Sequence, residues 1–210
     1  MIYYVVPARA GSRGWPGKNI QLYKHTSSQL FALSPVIVST DCPEIVEMAT
    51  LNVFCVHNRA RHAEDCSPII GVMMDVAESY RMKADDIIVM LYLTYPGRRR
   101  KDIDNAILFF EREHAESMLC RFPAVTSPYM CTFEDGGPVI EHQLFRRQDY
   151  PRCYERSHYI AIMRVRELCN LGLNLYNHYT RYMDIEKPID VDTEEDYRRF
   201  CLENGIVHTS

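Results

Sequence analysis

Three positively charged side chains and three glycines lie together in a short stretch near the N-terminus. The stretch runs from Pro7 to Asn19 and reads PARAGSRGWPGKN. Glycines let the backbone turn tightly and bring N–H groups close to an anion. Arg9, Arg13 and Lys18 supply the positive charge. The stretch therefore predicts a site for a polyanion such as a triphosphate, and a flexible surface loop with solvated charges is the alternative.

This stretch is not a P-loop. A P-loop needs a glycine, four further residues, and then Gly-Lys followed by Ser or Thr. Here the residue five positions before Gly17 is Ser12, and Lys18 is followed by Asn19. A phosphate group bound here must be held in another way.

Two carboxylates lie close together near the C-terminus. Asp190 and Asp192 are separated by one residue in a stretch that we predict to be extended. Side chains alternate along an extended chain, so both carboxylates would project from one face. Mg²⁺ commonly binds one or two carboxylates together with substrate phosphates. A magnesium site is one interpretation, and an acidic turn before a helix capped by Thr193 is the other.

Strand-like and helix-like segments alternate along most of the chain. Apolar, β-branched or aromatic runs predict strands at 2–7, 36–39, 52–56, 87–93, 118–125, 158–163 and 179–185. Amphipathic spacing and helix-start residues predict helices from Pro43, at 68–81, 102–113 and 164–171, and from Thr193. This alternation predicts an α/β fold with a mostly parallel sheet and helices on both faces. The first strand then delivers the glycine-rich stretch to the carboxyl edge, where open α/β sheets bind ligands.

Length and charge limit the classes of protein that fit. The 210 residues suit one domain spanning 1–210, from which 127–157 depart as a hairpin arm rich in Pro, Gly and aromatic residues. The net charge of −4 argues against a nucleic-acid partner. No apolar run is long enough to span a membrane, and the N-terminal residues lack the features of a signal peptide. We therefore expect a cytoplasmic protein.

Eight cysteines raise the question of a disulfide framework or a metal site. No C-x-x-C pair occurs, which argues against the usual zinc and redox motifs. Several cysteines lie within apolar runs, so we predict buried thiols in a reducing compartment.

The stretch PARAGSRGWPGKN resembles the signature P-A-R-x-G-S-[KR]-G-x-x-x-K-N of the acylneuraminate cytidylyltransferases, the family of the CMP-sialic acid synthetases. Further family motifs have counterparts in the same order at 38–41, 59–65, 94–98, 147–151 and 189–196. The resemblance covers nearly the whole chain. It implies a three-layer, Rossmann-like nucleotidyltransferase fold with a dimerisation arm at 127–157, and a homodimer. It also implies Mg²⁺-dependent transfer of CMP from CTP to an acidic sugar of the sialic type.

The resemblance assigns roles to individual residues. The catalytic residues that it implies are Lys18, Arg13, Asp190 and Asp192, of which the two aspartates hold Mg²⁺. The nucleotide-binding residues that it implies are Ala8, Arg9, Gly11, Ser12, Arg13, Lys18, Asn19 and Arg59. The residues implied to bind the acceptor are Tyr92, Arg147 and Gln148. Arginine suits that role because it forms paired hydrogen bonds with a carboxylate.

Several positions that the resemblance would place at the acceptor depart from the family pattern. Tyr92 and Tyr95 occupy positions where the family has Gln and Ser. Ser157-His158-Tyr159 occupy the positions where the family has N-G-A. The spacing after Arg59 is also one residue short. Other acceptors therefore stay open, namely Kdo or a phosphonate, and so does a nucleotide-binding homologue without catalysis.

Overall fold

The computed structural model describes residues 1–12, 14–62, 64 and 67–206. The strands in this part of the chain are β1 (Ile2–Pro7), β2 (Val36–Thr40), β3 (Cys55–Asn58), β4 (Ile87–Met90), β5 (Ser117–Pro123), β6 (Tyr154–Arg164) and β7 (Arg181–Asp184). The α-helices are α1 (Lys18–Leu30), α2 (Pro43–Leu51), α3 (Ile69–Ser79), α4 (Arg100–Arg112) and α5 (Glu194–Glu203). None of the helices in the described residues has the length and apolar character that a membrane crossing requires.

The strands form one sheet in the order β3-β2-β1-β4-β6-β5-β7. Strand β1 pairs in parallel with β2 and β4, and the pairs β2–β3 and β5–β7 are also parallel. Only β6 runs against its neighbours, because it is antiparallel to both β4 and β5. The prediction of a mostly parallel sheet is confirmed.

Helices cover both faces of this sheet. Side chains alternate along a strand, so in β1 Tyr4 and Val6 face one layer while Val5 faces the other. The first layer contains α1, α2, α4 and α5, and the second contains α3 with a short 3₁₀ helix at Val165–Asn170. The structure therefore has the three-layer α/β/α arrangement that the sequence predicts.

The order of the strands determines where a ligand can bind. The chain passes from β1 outward to β2 and β3, and then returns to β4 on the opposite side of β1. A reversal of this kind leaves a crevice at the carboxyl ends of β1 and β4, which is the usual ligand position in open α/β sheets. The glycine-rich stretch and residues 91–95 both start at this crevice.

Two predicted elements are placed or formed differently in the structure. The predicted strand 52–56 begins only at Cys55, because Asn52 ends α2 and Val53 turns the chain with a positive φ of 60°. The predicted helix 164–171 is the short 3₁₀ helix Val165–Asn170 instead of an α-helix. The sequence analysis does not assign helix α1, which occupies Lys18–Leu30.

The predicted hairpin arm at 127–157 contains almost no strand pairing. It has a single isolated bridge, between Thr132 and Pro138, and two 3₁₀ turns, at Pro128–Met130 and Arg147–Asp149. The last four residues of the predicted arm already belong to β6, which begins at Tyr154. The excursion from the sheet is therefore mostly irregular chain.

The cysteines of the described residues are free thiols. Cys42, Cys120 and Cys201 are buried, as the sequence predicts, but Cys55 and Cys169 are exposed. The prediction of uniformly buried thiols is therefore wrong for these last two. Cys66 lies outside the described residues.

Candidate active site

The end of β1 is fixed to β2 before the glycine-rich loop begins. Ala8 donates its N–H to the Ser39 carbonyl at 2.8 Å, and the Thr40 hydroxyl donates to the Ala8 carbonyl. The Ala8 side chain is completely buried. Ala8 therefore positions the loop, and the structure does not place it among the residues that line the cavity described below.

Polar contacts and a turn then shape the loop. Ala10 donates its N–H to an Asp41 carboxylate oxygen at 2.7 Å, and the Asn19 amide donates to the Arg9 carbonyl at 2.8 Å. Gly17 precedes α1 with a φ of 74°, a conformation that glycine adopts without strain. The loop thus leads directly into the N-terminus of α1, which begins with Lys18. Arg13 lies outside the described residues.

Lys18 and Asp192 meet across the site. The Lys18 ammonium lies 2.8 Å from a carboxylate oxygen of Asp192, although the two residues are 174 positions apart in sequence. The Lys18 side chain is 14% exposed and that of Asp192 is 68% exposed. A Cβ atom on Gly14 would lie 3.4 Å from the Asp192 carbonyl, so a larger residue would press against it. The loop and the aspartate segment therefore form one site.

Asp190 lies beside the end of β4. The segment after β7 forms no strand here, but Val191 is buried and donates its N–H to the Thr94 carbonyl at 2.8 Å. Burial raises the pKa of the Asp190 carboxyl, and the charge of Asp192 raises it further, whereas hydrogen bonds from Thr94 and Tyr95 and the charge of Lys18 lower it. These interactions place Asp190 next to Asp192 and Lys18.

A cavity of about 700 Å³ opens between these elements. Its lining includes five residues that the sequence predicts for nucleotide binding, namely Arg9, Ser12, Lys18, Asn19 and Arg59. Asp192 and Tyr92 also line it, whereas Gly11 does not and lies exposed on the loop. The structure thus brings most of the predicted nucleotide-binding residues together around one hollow.

Arg59 and Tyr92 form the buried part of the cavity wall. Arg59 is 6% exposed and donates from Nε to the His62 carbonyl at 2.8 Å. Burial lowers the pKa of the Arg59 guanidinium, and it raises the pKa of the Tyr92 hydroxyl to about 12. The Tyr92 hydroxyl therefore stays protonated at neutral pH, and it interacts with the charges of Arg59 and Arg9.

Tyr95 is buried behind the residues of the site and does not line the cavity. It is 6% exposed, and its hydroxyl accepts a hydrogen bond of 3.4 Å from Ser157. Its ring packs edge to face on Tyr159, with centroids 5.4 Å apart. Of the two tyrosines that depart from the family pattern, Tyr92 therefore faces the cavity and Tyr95 does not.

His158 lies behind Tyr92. The two rings pack edge to face with centroids 5.8 Å apart, and His158 Nε2 lies 2.9 Å from the Asn174 carbonyl. Burial lowers the pKa of His158, which favours the neutral ring. Asn174 and Leu173 themselves line the cavity, and the sequence analysis does not find them because they belong to no motif.

Comparison with known proteins agrees with this geometry. No family model matches the chain. A CMP-N,N'-diacetyllegionaminic acid synthase from Legionella pneumophila is 25% identical over an alignment of 218 residues. The alignment covers 93% of this chain and 93% of that protein. A solved CMP:2-keto-3-deoxy-manno-octonic acid synthetase complexed with CTP has a TM-score of 0.69 at 14% identity, covering 97% of this chain and 98% of that one. A cytidylyltransferase from Leptospira borgpetersenii has a TM-score of 0.60 at 18% identity, covering 100% and 88%.

The chain is thus similar in sequence to a CMP-nonulosonic acid synthase and similar in fold to solved cytidylyltransferases. These similarities support the resemblance noted from the sequence, and they indicate a nucleotidyltransferase. The solved structures show the shared fold, and the Legionella relative spans almost the whole chain.

Two residues that the family resemblance assigns to the acceptor lie away from this cavity. Arg147 and Gln148 form part of an exposed 3₁₀ turn in the arm. Arg147 lines a separate hollow with Tyr150 and Tyr154, and neither Arg147 nor Gln148 lines the cavity that holds Lys18. Within one chain, the structure does not bring them to the site.

The donors available for a metal ion are few. Among the described residues there is no group of three or more His, Cys, Asp or Glu side chains placed to hold a metal. Asp190 and Asp192 form a pair of carboxylates, and Mg²⁺ typically takes one or two carboxylates plus substrate phosphates and water. A pair of this kind fits magnesium that arrives with a nucleotide, and it does not fit a closed structural metal site.

One further residue, Arg98, is buried beneath the site and supports it. Arg98 is 4% exposed and donates to the carbonyls of Tyr92 and Tyr159 at 2.9 and 2.8 Å. Burial lowers its pKa to about 10. Arg98 thereby ties the residues after β4 to β6 beneath the cavity. In the sequence, Arg98 ends the family-motif counterpart at 94–98 and begins a basic run whose next three residues are exposed in the structure.

Proposed function

We propose that this protein transfers CMP from CTP to the hydroxyl of an acidic sugar of the nonulosonic type and releases pyrophosphate. The observation that carries the proposal is the contact between Lys18 and Asp192 at 2.8 Å, in a cavity that Arg9 and Arg59 also line. Cationic groups for phosphates and carboxylates for a divalent ion are thus brought together at the ligand-binding edge of an α/β sheet.

The phosphates of CTP would bind at the glycine-rich loop. Arg9 and Lys18 would neutralise phosphate charge, and Ser12 and Asn19 would donate hydrogen bonds to phosphate or base. Phosphoryl-transfer chemistry needs mainly positioning and charge stabilisation, which fixed cations and donors provide. We assign Arg13 the same phosphate-binding role on the resemblance alone.

Asp190 and Asp192 would hold Mg²⁺ together with the nucleotide. A bound magnesium ion supplies Lewis-acid polarisation of a phosphate oxygen. The raised pKa of Asp190 supports this assignment, because nearby burial and the second carboxylate disfavour the ionised form until a cation is present.

The reaction would proceed by in-line attack on the α-phosphorus. The acceptor hydroxyl forms the new P–O bond as the bond between the α-phosphorus and the bridging oxygen of pyrophosphate breaks. Negative charge then grows on the leaving pyrophosphate, next to Lys18 and Arg9, which stabilise it electrostatically. The hydroxyl also loses its proton, which passes to solvent water as the new P–O bond forms.

The acceptor carboxylate would be bound by Arg147 and Gln148 of a second subunit. Arg147 lies outside the cavity of its own chain, so a site that uses it needs a neighbouring copy. The arm also exposes large apolar side chains, for example Phe133 at 59% and Phe145 at 88%, which would be covered in a homodimer. Tyr92 would contact the acceptor from within the same chain.

A cytoplasmic location and the lack of a nucleic-acid partner stay predictions. Weak binding of duplex DNA at moderate salt would agree with the second of these.

Pyrophosphate release from CTP and Mg²⁺ tests the proposal. The acceptors are N,N'-diacetyllegionaminic acid, N-acetylneuraminic acid, Kdo and a phosphonate, and a no-acceptor reaction measures background hydrolysis. We expect pyrophosphate and a CMP-sugar product with a nonulosonic acid. Faster turnover with Kdo or the phosphonate would identify the alternative acceptor. Release no faster than background with every acceptor, together with CTP binding, would identify a nucleotide-binding homologue without catalysis.

A further inference from the structure

The glycine-rich loop depends on contacts with other residues for its conformation. Glycines have the largest conformational freedom of all residues, and α1 has no side-chain cap at Gly17. A loop of this kind must be ordered by its neighbours before its N–H groups can hold phosphates, because ordering it during binding would weaken affinity. The contacts that anchor the loop therefore matter for function.

Between described side chains, two contacts join the loop to the side of the site that carries the aspartates. One is the ion pair of Lys18 with Asp192. The other is an aromatic contact in which the rings of Trp15 and Tyr197 lie 5.3 Å apart at an angle of 35°. Under the proposed function, Lys18 binds phosphate and Asp192 binds Mg²⁺, so their mutual ion pair is weakened as soon as the ligands arrive. The aromatic contact can persist in the loaded site.

The backbone places both rings where such an anchor is effective. The Trp15 carbonyl accepts a hydrogen bond of 3.1 Å from the N–H of Lys18, so the position of Trp15 affects the start of α1. Tyr197 lies in the first turns of α5 and donates its N–H to the Thr193 carbonyl at 3.2 Å. The ring pair therefore connects Trp15, three residues before Lys18, to helix α5, which begins two residues after Asp192.

We propose that Trp15 and Tyr197 are a positioning pair that holds the glycine-rich loop against the aspartate segment while CTP is bound. The inference rests on the proposed function. Neither ring contacts the reacting atoms, and both act through the placement of Lys18 and Asp192. Loss of the pair should therefore weaken CTP binding more than it weakens binding of the acceptor.

Tyr197→Leu removes the aromatic partner, and Tyr197→Phe keeps the ring while removing the hydroxyl. Trp15 is the only tryptophan of the chain, so its fluorescence reports CTP binding at the loop in both variants. We expect Tyr197→Leu to raise the Kd and KM for CTP by about 3- to 10-fold, the range that an aromatic pair typically contributes. We expect the acceptor KM at saturating CTP to stay within about twofold of wild type. Tyr197→Phe keeps the ring and loses the hydrogen bond between the hydroxyl and Cys201, so its KM for CTP should stay closer to wild type than that of Tyr197→Leu.

Tyr80→Leu is the matched control. Tyr80 is also a half-buried tyrosine, but it lies after α3 on the opposite face of the sheet and donates its hydroxyl to the Val56 carbonyl at 3.1 Å. Thermal melts of both leucine variants separate loss of folding from loss of positioning. An unchanged KM for CTP in Tyr197→Leu, or an equal rise in Tyr80→Leu, would overturn the positioning role. Failure of the wild-type protein itself to bind CTP would instead overturn the proposed function.

Discussion

Asp192→Asn separates the role of the Asp192 charge in catalysis from its role in stability. The substitution keeps the size of the side chain and removes the negative charge that faces Lys18 at 2.8 Å. The Asp192 side chain is 68% exposed, and ion pairs in solvent contribute only about 0–1 kcal/mol to the free energy of unfolding. For a domain of this length we expect the melting temperature to change by less than about 4 °C.

The catalytic effect should be much larger than this change in stability. Loss of one key electrostatic contact in an active site typically lowers kcat by about 10²- to 10³-fold. We therefore expect the kcat of Asp192→Asn to fall by this factor in the pyrophosphate assay, with CTP, Mg²⁺ and acceptor saturating. Asp192 contributes here as a charged ligand for Mg²⁺, and a neutral amide binds that ion more weakly.

Glu194→Gln provides the control for Asp192→Asn. Glu194 lies two residues further along and forms a similar exposed ion pair, at 2.7 Å from Arg198, outside the cavity lining. The Glu194→Gln substitution should leave kcat within about twofold of the wild-type value, because exposed ion pairs of this kind contribute little. Wild-type turnover of Asp192→Asn under saturating magnesium, or an equal loss in Glu194→Gln, would refute the assignment of Asp192.

Three further predictions follow from the site and its support. The Arg147→Ala and Lys18→Met variants should each be inactive. If the arm completes a neighbour's site, a mixture of the two variants should recover about a quarter of wild-type activity; no recovery in a mixed dimer contradicts this. Burial raises the pKa of Asp190, so Asp190→Asn should melt higher than wild type at neutral pH, and the difference should shrink below about pH 4; a difference that grows in acid contradicts it. Arg98→Met leaves two buried carbonyls without their donor and should cost about 2–4 kcal/mol in denaturant unfolding, whereas the exposed Arg99→Met should cost less than about 1 kcal/mol; equal costs contradict it.

Local patterns in the sequence predict most of the sheet. The run at 2–7 and the run that starts at 87 are short, apolar and β-branched, and both are strands in the structure. Such runs can be read locally because burial on both faces of a parallel sheet requires a nearly continuous apolar segment. Helix α1 is harder to predict, since His25 and the polar residues after it interrupt the apolar pattern, although Leu22, Tyr23, Thr26 and Leu30 are buried.

The sequence by itself also determined the chemistry of the site, because the glycine-rich cationic stretch and the paired aspartates are local motifs. Only the tertiary structure decided how those motifs meet. Lys18 and Asp192 are 174 positions apart. Their contact depends on how β1, β4 and the segment after β7 are brought together in the fold. The buried place of Tyr95 and the pairing of Trp15 with Tyr197 likewise depend on which distant elements pack together. Packing between distant parts of a chain depends on the whole fold, so no local pattern encodes it.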